Sequence, residues 1–296
     1  MSCKSVMGEH GSSSPWAPWL VHTAVAVSAI TIAAAANHYW FHARSKGRPR
    51  VVGIIPARYK SSRFEGKPLV HIMGKPMIQR TWEQAKKCTS LQAVVVATDD
   101  ERIADCCREF GADVIMTSEN CQNGTERCNE ALEKLSTEYD IVVNIQGDEP
   151  LIEPVIIDGI VLALQRSPDA IYSTAVTALK PEDASNPNRV KCIVDKNGYA
   201  LYFSRGLLPS NLKGSPNPDF PYLLHLGIQC YDAKFLKVYA SMPSSPLQVE
   251  EDLEQLKVLE NGYKLKVIKV DHEAHGVDTP GDIAKVEAVM RAQHLD

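Results

Sequence analysis

The chain has 296 residues, room for one large α/β domain or two small ones with a sizeable core. Its 32 Lys and Arg against 36 Asp and Glu are unevenly spread, because residues 1–50 hold Lys4, Arg44, Lys46, Arg48 and Arg50 against Glu9 and leave the rest more acidic than the whole. A body that acidic has no general electrostatic reason to bind nucleic acid or anionic lipid, and a 44% hydrophobic, 23% charged composition excludes disorder, a collagen and a polytopic membrane protein.

The N-terminal tail, residues 1–49, reads as an object separate from the body, 50–296. From Trp16 to Ala36 it carries no charge over 21 residues, about the length that spans a bilayer core of ~30 Å. Trp16, Trp19, Tyr39 and Trp40 flank it like an interfacial aromatic belt, and Arg44, Lys46, Arg48 and Arg50 follow. A secretory signal would want a basic start and a shorter apolar run, and a transit peptide would be Arg-rich and amphipathic. The pattern favours an uncleaved anchor, with the body on the cytosolic side by the positive-inside rule. A moderately hydrophobic anchor with a basic downstream flank resembles those of the mitochondrial outer membrane; the endoplasmic reticulum is the alternative. The 8 cysteines include no Cys-x-x-Cys pair and no zinc-like spacing, and fit the reducing side of a membrane.

In the body, Val51–Ile55, Ala93–Ala97, Ala112–Met116 and Ile141–Ile145 are apolar strand runs. Helical stretches lie between them at Pro76–Lys87, Asp100–Phe110 and about Glu126–Leu135. Continuous apolar strands alternating with helices predict a mostly parallel sheet covered on both faces, with ligands beyond the strands' carboxyl ends. In the second half, Ile171–Thr177, Val190–Val194, Tyr199–Phe203 and Tyr222–Tyr231 read as strands, and Asn211–Asp219 as a turn-rich loop. A helix at about Leu247–Glu260, a strand at Lys264–Val270 and a helix at Pro280–Ala292 complete the pattern.

Four constellations carry chemistry. After the first strand, Arg58, Lys60, Arg63 and Lys67 are opposed only by Glu65. The glycine spacings of a Walker A loop and of a dinucleotide fingerprint are missing, but a long loop of cations and backbone N–H groups suits a triphosphate. A solvated basic loop is the bland alternative; position at a strand's carboxyl end tilts the reading to phosphate. After the fourth strand, Gly147 permits a turn and Asp148 follows at the sheet's carboxyl edge, where a carboxylate can hold Mg²⁺ against phosphates. Near the end, Thr279, Pro280 and Asp282 read as N-cap, first-turn proline and dipole-compensating acid, leaving Asp278 as a second metal ligand or a helix-dipole partner. On the strand 222–231, His225, Gly227 and Gln229 share one face, with a gap at Gly227 for a ligand. Glu250, Glu251 and Glu254 crowd one face of the helix 247–260, which is locally unfavourable and suggests contacts to a hydroxyl-rich ligand.

Together these segments resemble the 3-deoxy-manno-octulosonate cytidylyltransferases, also called CMP-Kdo synthetases. The matching runs are IPARYKSSRFEGKPL, GKPMIQRTWEQA, VVVATDD, NGTERCNEAL, VNIQGDEPLI, NPNRVKCIVDKNGYALYFSRG, HLGIQCY, SPL with LEQLKVL, and GVDTP, in order over about residues 51–281. The resemblance implies an α/β, Rossmann-like nucleotidyltransferase fold with a mostly parallel central sheet and a small mixed-sheet dimerisation region, hence a homodimer. It implies that CTP and 3-deoxy-manno-octulosonate (Kdo) give CMP-Kdo and diphosphate with Mg²⁺. Carried over by position, Arg58, Arg63 and Lys67 would contact the triphosphate, and Gln122, Asn123 and Gly124 would line the cytosine and ribose pocket. Gln146 and Asp148 would lie beside the reacting centre; Arg205, His225, Glu251 and Glu254 would touch the sugar acid; Asp278 would join Asp148 on Mg²⁺. Two departures bear on nucleotide discrimination: Glu65 stands where the family usually has proline, and Asn123 where it has serine. The tail has no counterpart in the bacterial soluble enzymes, and an anchored form looks plant-type, its product feeding a pectic wall polysaccharide.

The expected mechanism is in-line attack of the sugar's anomeric hydroxyl on the α-phosphorus of CTP, with no covalent enzyme intermediate. The rivals are a cytidylyltransferase for another sugar acid such as sialic acid, a glycosyltransferase of similar fold, and an inactive nucleotide-sugar-binding relative. A glycosyltransferase would want an Asp-x-Asp that Gly147-Asp148-Glu149 does not supply, and retention of Arg58, Lys67, Asp148 and Asp278 argues against an inactive sensor.

Overall fold

The apolar runs of the body assemble into a mixed sheet. In the computed structural model the described residues are 48–61, 64–273 and 275–295, so the candidate anchor 16–36 and Arg63 lie outside them. The strands are β1 (Val51–Ala57), β4 (Ala93–Thr98), β5 (Asp113–Met116), β6 (Ile141–Asn144), β7 (Ala170–Ala178), β8 (Lys191–Val194), β9 (Ala200–Ser204), β10 (Leu223–Asp232) and β11 (Lys264–Lys269), with β2 (His71–Ile72) and β3 (Lys75–Pro76) in a separate hairpin. The main path runs β11-β7-β10-β6-β1-β4-β5, and β8 hangs from β10 and carries β9. Strands β5, β4, β1 and β6 are mutually parallel, whereas β10 is antiparallel to β6, β7 and β8. The parallel half thus presents its carboxyl ends together at Ala57, Thr98 and Asn144.

Helices α1 (Met77–Ala85), α2 (Glu101–Glu109) and α3 (Gly124–Lys134) connect the parallel strands. Asp100 caps α2 by accepting from the Arg102 N–H, and Asn123 caps α3 by accepting from the Glu126 N–H at 2.8 Å. Helix α3 therefore begins earlier than the apolar periodicity alone indicates. Two helices occupy stretches to which the sequence pattern assigns no element. Helix α4 (Pro154–Arg166) is apolar on most of its circumference, so no 3.6-residue stripe stands out; it buries Ile156, Ile157, Ile160, Val161 and Leu164 in the central core. Gly159 lets it approach the sheet, since a Cβ there would lie 2.9 Å from Ile268 Cδ1. Helix α5 (Ala233–Ser241) starts directly on the end of β10, capped by Asp232, which accepts from the Lys234 and Phe235 N–H groups.

The expected continuous helix over 247–260 is two helices, α6 (Pro246–Glu251) and α7 (Glu254–Glu260). Asp252 takes φ of 50° and Leu253 is extended, so the chain turns between them. Glu251 and Glu254 consequently do not share a helical face, and the like-charge crowding expected there is relieved by the break. Helix α8 (Pro280–Ala292) packs Val286 and Met290 on Ile72, Met77, Leu151 and Val277 in a satellite apolar cluster. That cluster fully buries Val277, which anchors its neighbour Asp278 beside the sheet.

Candidate active site

The loop after β1 is fixed at both ends. The Gly66 N–H donates to the Tyr59 carbonyl at 2.9 Å, and the Arg102 guanidinium lies over the Tyr59 ring at 3.3 Å while pairing with Asp100. Gly66 has φ of 67°, and a Cβ there would stand 3.1 Å from the Tyr59 ring, so only glycine closes this loop without strain. Arg58, Lys60, Ser61 and Glu65 line an open cleft of about 420 Å³. Arg58 is exposed and makes no hydrogen bond or ion pair to a described residue.

Lys67 turns the other way. Its ammonium donates to Asp148 Oδ2 at 2.7 Å and to the Val277 carbonyl at 2.7 Å, and lies 3.8 Å from Asp278 Oδ1. Backbone bonding makes this meeting of distant segments rigid: the Val277 N–H donates to the Asp148 carbonyl at 3.0 Å, and Thr81 Oγ1 donates to the Gly147 carbonyl at 3.2 Å. Thr279 and Asp282 form a reciprocal capping box on α8, which occupies both side chains and leaves the Asp278 carboxylate facing Lys67. The adjacent Glu149 registers the concentrated charge: burial, then Asp148 and Asp278, push its carboxyl up to about 8. Two carboxylates converging on one ammonium are an all-oxygen donor set, of the kind that could hold a hard divalent cation such as Mg²⁺.

Gln122 is exposed, its side chain donating to the Asn120 carbonyl at 3.0 Å. Asn123 is the α3 cap, a task serine performs equally well, so the departure from the family's serine preserves the local geometry. Gly124 lies against the sheet: a Cβ there would meet Asn144 Nδ2 and Pro56 Cγ at 3.4 Å, ordinary van der Waals contact. Gln146 Nε2 donates to the Gly227 carbonyl at 3.3 Å across to β10, where Gly227 sits at φ of 75° in a bulge between His225 and Gln229.

The sugar-side candidates are already engaged with the protein. The Glu251 carboxylate accepts from Ser204 Oγ and from the Arg205 N–H, both at 2.7 Å. Arg205 donates to the carbonyls of Glu251, Asp252 and Pro187, so its guanidinium caps the carboxyl end of α6. His225 Nε2 bonds Thr174 Oγ1 at 2.8 Å with the ring edge-on to Phe203, and burial lowers its pKa to about 4. Glu254 accepts from Thr125 Oγ1, and burial raises its carboxyl. Thr125 also bonds Gln229 and Tyr231, and Asn144 Nδ2 donates to Gln229 at 3.1 Å, so Glu254 belongs to a buried polar network beneath α3. The sequence reading did not single out Thr125, Asn144 or Lys191. Lys191 is fully buried, donating to the Asn186 and Arg205 carbonyls at 2.9 and 2.6 Å, with its pKa lowered by burial. A lysine inside the apolar run 190–194 was the visible signal.

A cationic loop after β1 whose Lys67 meets two carboxylates at the carboxyl edge of a mostly parallel sheet suits transfer of a nucleotidyl group, and the class is nucleotidyltransferase. The sequence profile of the cytidylyltransferases matches residues 52–268. The 3-deoxy-manno-octulosonate cytidylyltransferase of Zea mays is 71% identical over 84% of this chain and 83% of its own. The mitochondrial 3-deoxy-manno-octulosonate cytidylyltransferase of Arabidopsis thaliana is 69% identical over 96% of this chain and 98% of its own. A solved CMP:2-keto-3-deoxy-manno-octonic acid synthetase complexed with CTP superposes with a TM-score of 0.77 at 37% identity, over 82% of this chain and 99% of that one. The chain belongs to the 3-deoxy-manno-octulosonate cytidylyltransferase family.

Proposed function

We propose that the protein activates Kdo, joining it to CTP to give CMP-Kdo and diphosphate. The observation that carries this is 69–71% identity to two plant relatives named for that reaction, over nearly the whole body. The site supports it. Arg58 and Lys67, with Arg63 on the same loop, stabilise the departing diphosphate, and the Gln122–Gly124 turn receives the nucleoside. Gln146 spans from the β6 end to the Gly227 bulge, where the sugar's anomeric hydroxyl approaches the α-phosphorus in line. Arg205, His225, Glu251 and Glu254 shape the sugar-acid side. Asp148 and Asp278 would hold Mg²⁺, which would supply Lewis-acid polarisation of the α-phosphate.

Diphosphate release from CTP, UTP, ATP and GTP, each with Kdo, with sialic acid or with no acceptor, tests the reading. Release is expected only from CTP with Kdo and divalent metal. Turnover with sialic acid in place of Kdo would move the protein to its neighbouring specificity, and full turnover in EDTA would remove Mg²⁺ from the account.

The protein is further proposed to be mitochondrial, anchored by residues 16–36 with its body facing the cytosol. A match over 96% of the chain to a relative named as mitochondrial has to include most of that stretch. Among the described residues no helix is long and apolar enough to cross a membrane. Resistance to alkaline carbonate extraction, with the body digested by protease added to intact mitochondria, is the expected result. Recovery of a protected form beginning near Asn37 would make the stretch a cleaved signal. A homodimer is proposed as well, as the family resemblance implies. Light scattering should return twice the monomer mass.

A further inference from the structure

We infer that Lys67 is a built-in counter-ion of Asp148, and that a divalent cation entering the site competes with its ammonium and displaces it from that carboxylate. The inference rests on reading Asp148 and Asp278 as the metal ligands. Lys67 is Asp148's only ion-pair partner among the described residues, and the contact is a short one, 2.7 Å, with 18% of the lysine side chain exposed. The ammonium neutralises Asp148 and stands on the approach to its Oδ2, so a cation drawn to this carboxylate competes with Lys67 for it. Two positive centres sharing one carboxylate would also repel in a partly desolvated site.

The Val277 carbonyl gives the resting position a second hold on the ammonium, at 2.7 Å. Val277 itself is buried and its N–H is bound to the Asp148 carbonyl, so this acceptor does not drift. Displacement therefore has a standing opposition, and it needs a compensating anion. The base of Lys67 follows Gly66 on the cationic loop, so an ammonium leaving Asp148 swings on a stem rooted beside the cleft lined by Arg58 and Lys60. A triphosphate there takes over the lysine as the metal takes over the carboxylates. The exchange couples the two ligands: metal alone binds weakly, nucleotide alone lacks Lys67, and the two together bind cooperatively. It also keeps the Asp148 charge from standing unneutralised beside Glu149 before substrate arrives.

The test is Mn²⁺ binding to the full chain, without nucleotide, followed by electron paramagnetic resonance. Lys67→Met is expected to bind Mn²⁺ at least tenfold more tightly than wild type, Lys67→Arg to resemble wild type, and Asp148→Asn to lose the site. Equal or weaker affinity in Lys67→Met, with Asp148→Asn still abolishing binding, overturns the counter-ion role and leaves the metal ligands standing. Mn²⁺ binding that is indifferent to both Asp148→Asn and Asp278→Asn sinks the ligand assignment and the inference with it. A second measurement needs no variant. Acylation of Lys67 by an activated ester, followed by mass spectrometry, should be slow in the metal-free wild type and several-fold faster at saturating Mn²⁺. An unchanged rate at saturation overturns the displacement.

Discussion

The two halves of the site are built on opposite plans. The nucleotide side is made of loops at the carboxyl ends of β1, β5 and β6, and apart from the Lys67–Asp148 pair its groups face outward: Arg58 has no described partner, Gln122 is exposed, and Asp278 is 58% exposed. The sugar side is made of β8, β9, β10 and the α6–α7 break, and its groups are already bonded within the protein. Exposed loop groups contribute little to folding and are kept available for charge that arrives with the substrate. Buried, mutually satisfied groups make a preformed wall, and removing one leaves its partners unpaired. Substitutions should therefore separate: activity alone on the nucleotide side, stability together with activity on the sugar side.

The largest effect is expected at the carboxylates. Asp148→Asn and Asp278→Asn should each lower turnover by two to three orders of magnitude, about 3–4 kcal/mol of transition-state stabilisation, while the urea midpoint hardly moves. Because both serve one ion, the double variant should be little worse than either single. Additive losses would mean that the two act separately. On the other side, Arg205→Ala should cost about 2–3 kcal/mol of stability by urea titration, since it strips donors from the carbonyls of Pro187, Glu251 and Asp252. An Arg205→Ala protein as stable as wild type would erase the contrast between the halves.

His225 sharpens the same contrast through pH. Burial holds its pKa at about 4 in the folded chain against the ordinary imidazole value of 6.5. Between those values the unfolded chain binds a proton that the folded chain refuses, so stability falls as pH drops from 6.5 to 4, by up to about 3 kcal/mol. In His225→Gln that part of the slope should vanish, because Glu254 and the other carboxylates remain in both proteins and cancel in the difference. Parallel stability curves would show a solvated imidazole. Arg58→Ala is the mildest test of activity: the KM for CTP should rise about tenfold, the scale of one charge-assisted hydrogen bond, with thermal unfolding unchanged.

The nucleotide side was the more legible in sequence, for a physical reason. Its groups follow strands whose apolar runs are continuous, and the rule that ligands sit at strand carboxyl ends points straight at Arg58, Lys67 and Asp148. Asp278 could be matched with Asp148 because Thr279 and Asp282 explain the cap and leave the aspartate over. The sugar side depended on resemblance. His225, Arg205, Glu251 and Glu254 come from four elements whose meeting is set by a bulge at Gly227 and a helix break at Asp252, and neither has a hydrophobic period to betray it. Helix α4 was invisible for the opposite reason, being apolar nearly all round.

The break at Asp252 is itself open to test, and it is the smallest effect in this set. Asp252 holds a left-handed conformation with φ of 50°, which an L-residue adopts at a cost and glycine adopts freely. Its side chain returns little, only a 3.5 Å contact to Arg205 from a carboxylate that is 95% exposed. Its backbone does more, because the Asp252 carbonyl accepts from Arg205 and the Leu253 N–H reaches the Gln248 carbonyl at 3.2 Å. Asp252→Gly keeps those backbone bonds and relaxes the angle, whereas Asp252→Ala keeps the bonds and retains the strain. The glycine variant should be the more stable of the two by about 1 kcal/mol, with the KM for Kdo near wild type in both. An alanine variant at least as stable as the glycine one would mean that 247–260 can relax into the continuous helix its sequence suggests. In that case Glu251 would rotate away from Ser204 and Arg205, and the KM for Kdo should rise with it.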